Sequence, residues 1–275
     1  MGELDGLVVT ITGAGSGIGQ ALARGFASDG ASVVGCDLPV NVPAAEEVCD
    51  LVVAADVTKP EDLDTWARAA LERFGRIDVA VANAGISRRG SVEDADLDNV
   101  EAIYQVNVFG VLHTFRAVLG AMRTQGHGRL MAVSSRTAEF CPAGGMAYSS
   151  SKAAVIAIVR SLAHELAETD ILANCMFPGI CRTAMNPDAG QDPSLAYPTA
   201  RLLATLPTGG PSGRTFADAE EYPMYSEFAA DTKPPLSLRD PENTRVPDHH
   251  EEMRVAGCQT AGAAITNTTN GTEGD

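Results

Sequence analysis

The segment LVVTITGAGSGIGQALARGFASDG, residues 7–30, constrains the fold more than any other stretch of the chain. It opens on a β-branched apolar run, 7–13, which reads as a short buried strand. That run meets Gly13, Gly17 and Gly19 and passes into a helical period that ends at Gly30. Joining a strand to a helix so tightly needs unusual backbone angles and close helix–sheet packing, which glycine permits. The helix N-terminus then offers free amides to a phosphate.

The same alternation continues. Apolar runs at 31–37, 50–57, 77–85, 128–135 and 171–179 read as strands, and 60–75, 96–124 and 149–168 read as helices. Pro60 and two acids open the 60–75 helix, as a helix N-terminus favours. The strands are continuously apolar rather than alternating, which is the pattern of strands buried on both faces. The expected fold is therefore α/β: a doubly wound parallel sheet between two helical layers, Rossmann-like, with ligands at the carboxyl ends of the strands. Beyond Met185 the pattern weakens to a short helix at 199–206 and a last strand at 213–218. Residues 1–225 are expected to form the single catalytic domain, and the Pro/Thr/Gly-rich stretch 226–275 an irregular tail.

Charge and cysteine usage narrow the function. A formal net charge of −16 repels phosphate backbones, so nucleic acid is not an expected partner. The six cysteines form no C-x-x-C pair, which suits reduced thiols in the cytoplasm. The N-terminus lacks the basic and apolar regions of a leader, and no apolar run is long enough to cross a membrane. The HHEE stretch at 249–252 lacks metal-site spacing, so no metal is expected.

Asp37 ends the second strand, 24 residues after Gly13. A carboxylate there can accept from both ribose hydroxyls of an adenosine and repels a 2′-phosphate. No Lys or Arg lies in the glycine turn or directly after Asp37, so the expected cofactor is NAD rather than NADP.

Taken together, the motifs resemble those of the short-chain dehydrogenase/reductase family, in order, over residues 5–185. TGAGSGIG (12–19) looks like the cofactor turn, Asp56-Val57 like the adenine contact and Asn83-Ala84-Gly85 like the family's N-A-G. Asn107 lies in YQVNVFG, Ser135 precedes Tyr148 by 13 residues, and YSSSK supplies Tyr148 and Lys152. PGICRTAM (178–185) looks like the segment that covers the nicotinamide. The last third departs from the common pattern: PSGRTFADAEEY (211–222) replaces the usual final strand, and the stretch from Met185 to Thr199 is short for a substrate lid.

The resemblance implies cofactor contacts from Gly13, Ser16, Gly17, Ile18 and Gly19, from Asp37, Asp56 and Val57, and from Asn83, Ala84 and Gly85. Tyr148, Lys152, Pro178, Gly179, Ile180 and Thr183 would complete that site. It also implies that Tyr148 acts as general acid/base, that Ser135 holds the substrate oxygen and that Asn107 holds a relay water. Lys152, one helical turn from Tyr148, would lower a phenol pKa of about 10 with help from the oxidised nicotinamide. The expected reaction interconverts a secondary alcohol and a ketone by hydride transfer, in a homodimer or homotetramer built on the 96–124 and 149–168 helices. Two other readings stand beside it: a lyase, isomerase, cyclase or biosynthetic reductase on the same fold, and a dinucleotide-sensing scaffold.

Overall fold

The computed structural model describes Gly2 and residues 4–224; the expected tail, 226–275, and the HHEE stretch lie outside the described residues. Among the described residues one sheet has the order β3-β2-β1-β4-β5-β6-β7-β8. Its strands are β1 (Val8–Thr12), β2 (Ser32–Asp37), β3 (Leu51–Ala54), β4 (Val79–Ala82), β5 (Gly128–Val133), β6 (Ile171–Phe177), β7 (Thr215–Ala217) and β8 (Glu220–Glu221). The order reverses between β1 and β4, and the crevice at such a switch point is where this architecture binds ligands. All pairings are parallel except β7 with β8, which is antiparallel. That edge hairpin departs from the all-parallel expectation. Its two turn residues, Asp218 and Ala219, take φ of 52° and 60°, the geometry of a two-residue hairpin turn. No glycine marks the turn, so the sequence pattern hides it.

The helices are α1 (Gly17–Ser28), α2 (Val42–Glu46), α3 (Pro60–Phe74), α4 (Leu97–Tyr104), α5 (Gly110–Gln125), α6 (Thr137–Phe140), α7 (Met146–Glu165) and α8 (Tyr197–Ala204). Strand residues point alternately to two cores. In β4, Ala80 and Ala82 join the cluster under α3, α5 and α7, while Val79 and Val81 join the one under α1 and α8. Burying such a valine stabilises the fold by about 1.5–3 kcal/mol, which is why these strands are apolar on both sides. Two expectations change here. The single helix over 96–124 is interrupted by a π turn, Gln105–Phe109, and the helix bearing Tyr148 starts at Met146 rather than at 149. Short α2 and α6 lack a periodic signal and were not anticipated.

The pole of the sheet opposite the site is held by a buried cation. Arg129 donates to Leu206 O, Gly128 O and Asp170 O, and its Nη1 lies 3.1 Å from Asp170 Oδ1 without hydrogen-bond geometry. Burial alone would raise the Asp170 carboxyl. Hydrogen bonds from His127 and Thr208 and the Arg129 charge together outweigh it and hold the carboxyl below its ordinary value. A depressed carboxyl stabilises the fold above its unfolded value and loses that contribution as pH falls through the folded one. Urea unfolding should therefore show wild type more stable than Asp170→Asn at pH 7, with the gap closing near pH 3. An equal gap at both pH values would contradict this assignment.

Candidate active site

The glycine turn follows β1. Gly13 and Gly17 adopt φ of +70° and +52°, which only glycine takes without strain. At Gly19 the constraint is space, because a Cβ would lie 2.0 Å from Gly13 O and 2.4 Å from Asn83 Nδ2. Ser16 is the N-cap of α1 and makes no side-chain cap, and the first turn carries no acid. The leading amides, including those of Gly17 and Ile18, thus remain available to an anion. Asn83 donates from Nδ2 to Thr12 O (2.9 Å), while the Asn83 and Ala84 amides donate to Thr12 Oγ1 (3.0 and 3.2 Å). The N-A-G segment is therefore stitched to the end of β1. Thr12 was not singled out from the sequence; its role depends on a strand neighbour 71 residues away.

Asp37 closes β2 and is buried. It accepts from Gly15 N (2.9 Å), Leu38 N (2.7 Å) and Asn41 Nδ2 (2.9 Å), so it shapes the turn while standing beside it. Asp56 accepts from the Thr58 amide and hydroxyl, and Val57 packs on Gly110. Both lie just beyond the end of β3.

The four expected catalytic residues come from three elements. Ser135 follows β5, Tyr148 and Lys152 lie in the first two turns of α7, and Asn107 sits in the π turn. Asn107 is fully buried: Oδ1 accepts from Ile86 N (2.8 Å), and Nδ2 donates to Ile86 O and Ser151 Oγ (both 3.0 Å). Ser151 in turn donates to Tyr148 O at 2.7 Å, linking Asn107 to the tyrosine's own turn. Ser134 donates to Lys152 O at 2.9 Å. Neither serine was picked out by sequence, although both adjoin residues that were. The Lys152 ammonium is buried, donates to Val133 O (2.8 Å) and lies 5.8 Å from the Tyr148 ring centroid.

Electrostatics refine the expected tuning. Burial pushes the Tyr148 phenol up, and its hydrogen bond with Ser135 offsets only part of that. Burial pushes Lys152 down to about 8, slightly countered by Cys175. The protein alone therefore favours a neutral phenol beside a weakened ammonium, so the lowering expected for Tyr148 depends on the nicotinamide charge. A further positive charge near the ring is what would tip the pair toward phenolate.

Gly85 borders this group. A Cβ there would lie 3.3 Å from Asn107 Oδ1 and 3.5 Å from Lys152 Nζ. Gly85 does not need a left-handed backbone, so alanine fits the main chain and fills the space between the two polar groups. We expect Gly85→Ala to lower kcat about tenfold with little change in Tm, measured by turnover and calorimetry. Unchanged kcat would remove that space from the mechanism.

The segment after β6 covers the glycine turn. Pro178 is buried, and Gly179 (φ 77°) and Ile180 are exposed. The Thr183 methyl stands 3.1 Å from where a Gly17 Cβ would be. Gln191 pins the base of this loop through Ile180 O and Arg182 N. The expected cofactor residues of β1, β4 and the 178–183 segment thus meet at one crevice, and the residues present fit a dinucleotide: close-approach glycines, free helix amides and a carboxylate at the end of β2.

Known proteins give the same picture. Residues 7–194 match the family model described as short chain dehydrogenase. Oxidoreductase UcpA of Escherichia coli (strain K12) is 34% identical over 241 residues, 81% of this chain and 92% of that protein. The 7alpha-hydroxysteroid dehydrogenase of the same strain is 34% identical over 190 residues, 66% of this chain and 73% of that protein. Among solved structures, a 3-ketoacyl-(acyl-carrier-protein) reductase from Brucella melitensis, complexed with NADH, aligns with a TM-score of 0.74 at 29% identity, over 78% of this chain and 97% of that one. The chain therefore belongs to the short-chain dehydrogenase family and is an oxidoreductase with a nicotinamide-nucleotide site.

Proposed function

We propose that the protein is an NAD-dependent oxidoreductase that interconverts a secondary alcohol and a ketone. The observation that carries this reading is the meeting of Tyr148, Ser135 and Lys152 at the strand ends where the glycine turn and Asp37 also stand. When bound, the oxidised nicotinamide supplies a hydride acceptor and a positive charge. The chain's residues do the rest. Ser135 holds the substrate oxygen, and its own hydroxyl is oriented by the Thr137 amide and hydroxyl (3.2 and 3.0 Å). Tyr148 takes the hydroxyl proton in oxidation and returns it in reduction. Lys152 holds positive charge near the phenol ring, and Asn107, anchored on Ile86 in the π turn, would hold the relay water. Asp37, at the end of β2 beside the glycine turn, would favour NAD because its carboxylate would repel a 2′-phosphate.

The test follows absorbance of NADH with a panel holding 2-butanol, cyclohexanol, a 3-hydroxybutanoate ester and a hydroxysteroid, the last because one relative's name carries that substrate. Turnover of at least one alcohol with NAD is expected.

A homo-oligomer is part of the proposal. Leu97, Phe109 and Leu112 are exposed along α4, the π turn and α5, an apolar strip suited to a second copy. Light scattering at the monomer mass would overturn it. The free thiols of Cys36, Cys49, Cys141, Cys175 and Cys181 support a reducing, cytoplasmic setting. Among the described residues no helix is long and apolar enough to cross a membrane.

A further inference from the structure

The loop from Ser135 to Gly145 carries the residue that would hold the substrate oxygen at one end and leads into the Tyr148 helix at the other. α6 is a single turn held by its own backbone bonds and by the buried Ala138, and Cys141 ends it at φ 43°, a left-handed conformation unusual for a residue with a side chain. Its exposed side is supported from the far end of the described chain. The Tyr222 ring packs edge-on against Phe177, with centroids 5.2 Å apart, and Phe177 directly precedes Pro178 and Gly179. The Arg136 guanidinium lies between two aromatic rings, 5.0 Å from the Phe140 centroid and 5.2 Å from that of Tyr222. Arg136 also donates to Tyr222 Oη (3.4 Å), and Tyr222 Oη donates to Glu139 Oε2 (2.8 Å). The Tyr222 amide donates to Thr215 O at 2.7 Å, which fixes the ring relative to β7.

One side chain thus joins three parts: the strand edge, the end of β6 that starts the cofactor cover, and both ends of α6. Stacking immobilises a planar guanidinium at little entropic cost, and Arg136 is bonded in sequence to Ser135. We propose that Tyr222 is a positioning residue: it clamps the Ser135 loop to the Phe177 end of β6 and so sets where the substrate oxygen is held. This rests on the oxidoreductase reading above. It also gives the unusual 211–222 segment a task, since that segment delivers Tyr222 across the sheet edge.

The experiment uses the full chain and has two arms. In the first, Tyr222→Leu should lower kcat/KM for the best alcohol of the panel roughly 10- to 100-fold, while KM for NAD changes by a clearly smaller factor, because the clamp reaches the cofactor cover only through Phe177. Tyr222→Phe keeps both ring contacts and loses the hydroxyl bridge, so it should lose about fivefold. Arg136→Gln combined with Tyr222→Leu should lose less than the product of the two single losses, since the two side chains share a contact. In the second arm, hydrogen exchange should speed up at the Ala138, Glu139, Phe140 and Cys141 amides in Tyr222→Leu and stay unchanged in β4. Unchanged exchange overturns the clamp. Faster exchange with unchanged kcat/KM, or a loss shared equally by KM for NAD, overturns the positioning role. If wild type turns over no alcohol, the functional reading fails, and the exchange arm decides the clamp by itself.

Discussion

Tyr148→Phe is expected to lower kcat by about a hundred- to ten-thousand-fold, the range in which a positioned general acid/base contributes, and to leave NADH affinity within about threefold because the ring stays in place. The reason lies in the pair's surroundings. Burial raises the phenol and pushes Lys152 down to about 8. In the proposed mechanism proton transfer would depend on the single hydroxyl that faces Ser135, and the buried lysine would not substitute for it while committed to Val133 O at 2.8 Å. Lys152→Met should reduce kcat as well, but with poorer cofactor binding if the ammonium also reaches the ribose. Turnover and NADH fluorescence titration separate the two. A Tyr148→Phe enzyme of near wild-type kcat would remove the tyrosine from the chemistry.

Replacing Asp37 should have the second-largest effect, in two directions at once. Asp37→Ser removes the acceptor for Gly15 N, Leu38 N and Asn41 Nδ2, so the turn itself loosens. Hydrogen bonds to a charged group contribute about 1.5–3 kcal/mol each, and NADH binding should weaken roughly 10- to 100-fold. The loosened turn should weaken NADPH binding as well, but loss of the repelling carboxylate offsets this, moving the preference toward NADPH. Leu38 is exposed beside it, so Asp37→Ser with Leu38→Arg supplies the missing cation and should reverse the preference outright. Fluorescence titration with both reduced cofactors measures this. An unaltered ratio in Asp37→Ser would show that the carboxylate does not read the ribose.

Much of this site can be read from sequence because its constraints are local. A glycine turn between strand and helix, an acid at a strand end and a Tyr-x-x-x-Lys one turn apart are each set by neighbours within a few residues. The alternation of buried strands and amphipathic helices is equally local, and β1, β2 and β6 start and end within two residues of the expected limits. What was not legible depends on distant partners. YQVNVFG has nothing in its pattern to distinguish a π turn from an α-helix; the distortion accompanies an Asn107 amide bound to Ile86 and Ser151, 21 and 44 residues away. Thr12, Ser134 and Ser151 are ordinary residues until the strands are assembled. The electrostatics of the pair are hidden for a related reason: spacing places Lys152 near the ring, but the burial that governs both groups in the protein alone comes from the packed sheet and helices. The β7–β8 hairpin was hidden because Asp218 and Ala219 adopt positive φ without a glycine.

The central claim is that these strand ends perform hydride transfer coupled to proton transfer at Tyr148. Its most direct measurement is the absorbance of NADH after mixing the full chain with NAD and each alcohol of the panel, run in parallel with Tyr148→Phe. NADH formation is expected with at least one secondary alcohol, with near-complete loss in the variant. NADH formation that persists undiminished in Tyr148→Phe, or substrate conversion that proceeds after NAD has been stripped from the protein, would contradict it.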